Sequence, residues 1–210
     1  MRKSVPQSAF RIVATVLCVC EAYAILRYVI FGEVTWSRLP LYVANKMFAW
    51  SSLLLIGLSM IPAVARTHET RRFLGSVGWI FVLVHLLMSL LLVRPENYPV
   101  LFTANRLNVF GEAGMLFGII SLFLLGTVKE EFSRIRGFPT KRALLVQMTG
   151  GGFAIAGLHA GTLGVQNWLK PAEWPGYMPP IGLLSVLWVA SVLSLRCLGE
   201  RASGDAEPIK

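Results

Sequence analysis

The chain has 210 residues, 55% of them hydrophobic and 15% charged, with a net charge of +9 and a mean hydropathy of +0.62. A soluble domain lies nearer 45–50% apolar and about 25% charged, so a soluble globular fold is excluded. The apolar residues come in long blocks with the basic residues between them, which reads the positive charge as a membrane-topology signal rather than a nucleic-acid surface.

Six blocks follow in chain order, at about 10–31, 43–65, 73–93, 108–128, 143–165 and 180–198. Each has roughly the 20 residues a helix needs to cross a bilayer. They are continuously apolar rather than alternating, which predicts helices and not a β-barrel. The first block follows "MRKSVPQSAFR"; it is too long for a signal-peptide core and no A-x-A site closes it, so a retained helix is expected. It carries Cys18 and Cys20 on different faces, Glu21 about 15 Å in, and Arg27 toward its far end. Lys46 opens the second block, and "RTHETRR" after it holds His68, read as a solvated loop residue. The third contains "GWIFVLVHLLMSLLL" (78–92) with His85 at its middle. Arg94 and Arg106 flank the next connection, and Glu112 enters the fourth block. The fifth reads "TGGGFAIAGLHAG" (149–161) around His159. "NWLKPAEWPGYMPP" (167–180) is stiff enough to lie across a bundle mouth as a lid. One six-helix domain is expected over 1–200, with "RASGDAEPIK" (201–210) a disordered tail. No C-x-x-C-H occurs, so covalent heme attachment is not indicated.

Fourteen of the 20 Lys and Arg residues fall at one set of block ends, among them Arg2, Lys3, Arg66, Arg71, Arg72, Arg134, Arg142 and Arg201. The positive-inside rule then places both termini in the cytoplasm, giving an all-α, multi-pass protein of the inner membrane. The opposite loops hold Trp36, Tyr98, Trp168, Trp174 and Tyr177, as interface anchors would.

Ionisable groups inside a span are expensive and point to function, although a helix–helix hydrogen bond accounts for a single histidine equally well. Two features join His85 to His159. His85 lies thirteen residues beyond Arg72 and His159 seventeen beyond Arg142, about 20 and 25 Å along helices that run the same way. Gly78 and Gly152 each stand seven residues before their histidine, two turns away on the same face, where a missing side chain would leave a slot for a flat macrocycle. Gly75, Gly151, Gly157, Gly161 and Gly164 add room. A zinc site usually wants three or four protein ligands; two imidazoles in a dry space suit an iron already held by a porphyrin. His85 and His159 are therefore the expected metal ligands of one heme b. Arg27 or Lys46 is expected to pair with Glu112, or with Arg94, Arg106 and Lys170 to meet heme propionates. Glu21 is read as a structural hydrogen-bonding group or a proton relay to a quinone.

The segments "RRFLGSVGWIFVLVHLLMSL" (71–90) and "TKRALLVQMTGGGFAIAGLHAG" (140–161) resemble the third and fifth helices of the ferric-reductase-like transmembrane family. The pattern is closest to the MsrQ/YedZ-type heme-binding membrane subunit. The resemblance covers about residues 40–165. Two-heme members of that family carry a second histidine thirteen residues earlier on each helix; here those positions are Arg72 and Val146, so the resemblance implies a single b-type heme. It implies single-electron transfer from a quinol or a flavoprotein donor to an acceptor, or a redox partner, at the periplasmic side, as the electron-transfer subunit of an oxidoreductase. FMN or a quinone would bridge the gap from the inner face, and no flavin or nicotinamide fingerprint occurs in the chain. The residues leave a second reading open: a heme-free transporter or assembly subunit whose histidines bond across helices.

Overall fold

A computed structural model describes the backbone over residues 6–134 and 139–204 and the side chains over 6–129 and 144–198. α1 spans Gln7–Ile25 and widens into a π-helical turn over Leu26–Ile30. The second block opens with a 3-10 turn at Trp36–Arg38 and a π turn at Leu39–Val43, then runs as α2 over Ala44–Met60. Pro62, two residues past its end, cannot continue the helical hydrogen bonding. α3 spans His68–Leu92. Thr67 caps it by accepting the Thr70 amide at 3.1 Å, with Glu69 in the first turn. A two-stranded hairpin follows, β1 Phe102–Thr103 against β2 Arg106–Leu107, with Ala104 and Asn105 at φ 48° and 61° in its turn. Asn108 accepts the Gly111 amide at 3.0 Å and so caps α4, Val109–Arg134. α5 covers Pro139–Thr162, three short 3-10 turns fill Val165–Tyr177, and α6 covers Ile181–Gly204.

Among the described residues, five helical stretches are long and apolar enough to cross a membrane: Gln7–Ile30, Trp36–Met60, His68–Leu92, Val109–Lys129 and Pro175–Leu198. α5 is equally long, and its side chains are described only from residue 144 on. α6 carries on past the expected domain end at 200 as far as Gly204; the rest of the expected tail, 205–210, lies outside the described residues.

The helices pack as pairs. α3 lies along α2, α5 lies between α4 and α6, α2 also meets α6, and α1 rests on α2. α3 makes only sparse contact with α4 and α5. Leu53 and Ile56 of α2, Leu125 of α4, Phe153 of α5 and Val189 and Val192 of α6 form one buried cluster, with Trp79 of α3 packed against it. That core lies toward the end of the bundle where α1 begins and α6 ends. The end that holds the 102–107 hairpin is here called the hairpin end. Leu83, Leu87, Leu90 and Leu91 of α3 and Leu116, Ile119 and Phe123 of α4 are exposed, which suits contact with lipid tails.

Candidate functional site

His85 and His159 come together. They sit on α3 and α5, two helices that otherwise barely touch, and their rings bridge the seam with centres 6.3 Å apart and planes at 65°. Both are half-buried. The similar depth expected for the two rings is thus realised as a direct meeting.

Each ring is held from behind by a different element. The His85 Nδ1–H donates to Asn45 Oδ1 of α2 at 2.7 Å. Asn45 is 2% exposed, and its Nδ2 donates to Ser89 Oγ, one turn beyond His85, at 3.2 Å. The His159 Nδ1–H donates to the Gly114 carbonyl of α4 at 2.6 Å. Both acceptors are carbonyl oxygens, so Nδ1 carries the proton on both rings. The lone pair of each neutral imidazole is then on Nε2, the nitrogen left for a ligand.

The distance between the rings has chemical meaning. A bond of about 2.0 Å from imidazole nitrogen to metal, with about 1.1 Å from nitrogen to ring centre, puts two rings on one metal atom about 6.2 Å apart. The ring-centre spacing is close to that figure and also within the range of an edge-to-face ring contact. Among the described residues no group of three or more His, Cys, Asp or Glu side chains is placed to hold a metal ion. The protein therefore offers two nitrogen donors across a seam.

The glycines act differently from expectation. A Cβ on Gly78 would lie 2.9 Å from Ile56 Cγ1 and 3.2 Å from the Ser52 carbonyl; one on Gly152 would lie 3.0 Å from Leu125. Neither borders a slot: Gly78 lets α3 close on α2, and Gly152 lets α5 close on α4, where Ser121 donates to the Gly152 carbonyl at 2.9 Å. The glycines that serve the site are Gly114, which supplies the acceptor, and Gly118, where a Cβ would sit 3.0 Å from His159 Nδ1. Their four-residue spacing in "GMLFG" is the one sequence signal that points to them.

The expected pairing of Arg27 or Lys46 with Glu112 does not form. Glu112 is exposed near the start of α4. Lys46 Nζ sits over the Tyr98 and Tyr42 rings, at 4.5 and 5.4 Å from their centres. Arg27 is buried and donates to the Met178 carbonyl, and Tyr23 donates to the Pro179 carbonyl at 2.5 Å. These two bonds pin the 167–180 segment to α1. Arg94 and Arg106 are exposed, and Lys170 pairs with Glu173 at 3.2 Å. Glu21 is exposed on α1, so the structural hydrogen bond expected of it is absent among the described residues. His68 is exposed as the first residue of α3, and Cys18 is exposed while Cys20 is buried, as two helix faces require.

No protein-family model matches the chain, and no curated protein matches it either.

Proposed function

We propose that the chain is a membrane-embedded b-type cytochrome of the ferric-reductase-like kind, in which His85 and His159 would hold the iron of one heme. The single observation that carries this reading is the pair of imidazoles 6.3 Å apart, each with its Nδ1–H committed to a carbonyl oxygen. Two donors are what an iron in a porphyrin still needs from a protein. The sparse contact of α3 with α4 and α5 leaves a seam that these rings bridge on the hairpin side of Trp79, which packs on α4.

When bound, the heme supplies one-electron redox chemistry. The chain's own part is to fix both rings, to hold their protons on Nδ1, and to surround them with apolar helices that keep water away. All six helices cross the inner membrane in this reading, α5 included, because α4 and α6 shield its glycines and His159 from lipid. Both termini lie in the cytoplasm and the hairpin end faces the periplasm. Electrons come from a quinol or a flavoprotein and leave to a periplasmic acceptor or partner. The chain acts as the electron-transfer subunit of an oxidoreductase.

Single substitutions separate this from histidines that only join helices. His85→Ala and His159→Ala, each purified from heme-supplied cells, are expected to lose the native visible spectrum. Wild-type absorbance with a lower unfolding temperature in both variants would leave the histidines a packing role alone.

A further inference from the structure

At the hairpin end, two cations and three tyrosines form a continuous band. Lys46 lies over Tyr98 and Tyr42. Tyr42 meets Tyr28 edge-on, with ring centres 6.1 Å apart, and the Arg27 guanidinium lies 5.7 Å from the centre of the Tyr28 ring. Arg27 is 7% exposed, and its Nε is buried with no hydrogen-bond partner. No carboxylate among the described residues pairs with either cation; Glu173 pairs with Lys170, and both are exposed.

A cation taken out of water needs an anion or a full set of acceptors. Tyrosine faces attract Lys46 but leave its charge uncancelled. Lys46 is also the residue next to Asn45, whose side chain holds His85, so one turn of α2 presents both the ligand's support and the charge.

We propose that Lys46, with Arg27 behind it, is an anion subsite that takes a carboxylate of the molecule held at the histidine pair. Under the heme reading, on which this rests, that carboxylate is a propionate. The tyrosine rings hold the lysine stem in place, and the ammonium donates to the carboxylate oxygens.

The test compares heme b with its dimethyl ester, which keeps the macrocycle and iron but has no carboxylate. Full-length protein in lipid nanodiscs is loaded with each form, and loss to a soluble heme-scavenging globin is timed. Wild-type protein is expected to hold the free acid at least about tenfold longer than the ester, as a charge-assisted bond predicts. Lys46→Met is expected to abolish that difference, Lys46→Arg to keep most of it, and Arg66→Ala, beyond the opposite end of α2, to leave it unchanged. Lys46→Gln serves equally if Lys46→Met does not fold. Equal retention of both forms by wild type, or an undiminished preference in Lys46→Met, overturns the subsite and leaves the histidine ligation standing. A wild-type protein that takes up neither form overturns the heme reading and the subsite with it.

Discussion

Asn45 is buried, polar and bonded at both ends, to His85 through Oδ1 and to Ser89 through Nδ2. Asn45→Leu would strand the His85 N–H in apolar surroundings, which costs about 1–3 kcal/mol. The expected result is a lower unfolding temperature in detergent together with weaker heme retention. Asn45→Asp keeps the acceptor and adds a negative charge, which makes the imidazole a stronger donor and favours the oxidised metal. A redox titration should therefore give that variant a lower midpoint potential than wild type; an equal or higher potential would contradict the role given to Asn45. At this scale the sequence shows the two histidines plainly, because each interrupts an apolar block. Asn45, Ser89, Gly114 and Gly118 are not legible in the same way. Small or neutral polar residues occur throughout membrane helices for packing, and which of them face a histidine depends on how the helices meet.

The helices are held by close approach as well as by the apolar cluster they share. Gly78 shows this: a side chain there would run into Ile56 and the Ser52 carbonyl, where backbone cannot move aside. Gly78→Leu should destabilise by about 1–3 kcal/mol through overpacking of α2 on α3, read as a drop in thermal unfolding temperature. The hairpin offers the opposite change. Ala104 holds a φ of 48° in the turn, a conformation that costs a side-chain-bearing residue about 1–2 kcal/mol. Ala104→Gly should leave stability equal or raise it by up to about 1 kcal/mol, and a clear loss would mean the methyl group is needed for packing. All six long helices are readable from hydropathy, and their ends shift by only a few residues. The exceptions have physical causes. The 36–43 approach to α2 is wound as 3-10 and π turns around Pro40. The hairpin is too short for a strand pattern to register. Gly78 and Gly152 share a spacing with the histidines, but spacing alone does not distinguish a slot from a helix contact.

For the molecule as a whole, α2 pairs with α3 and α4 with α5, and the two histidines meet where α3 faces α5, with Trp79 packed on α4 farther along. The proposed orientation rests on the charge distribution. Reporter fusions at either terminus should be active on the cytoplasmic side only, and a fusion in the 102–107 hairpin on the opposite side only; the reverse pattern would turn the bundle over and move the electron acceptor to the cytoplasm. The most direct test of the account is a dithionite-reduced minus oxidised absorption spectrum of the wild-type protein, purified in detergent from heme-supplied cells, with heme quantified per chain. Sharp α, β and Soret bands of a bis-histidine iron, at about one heme per chain, are the predicted result. A well-folded preparation with no such bands would contradict it and leave His85 and His159 as a contact between helices.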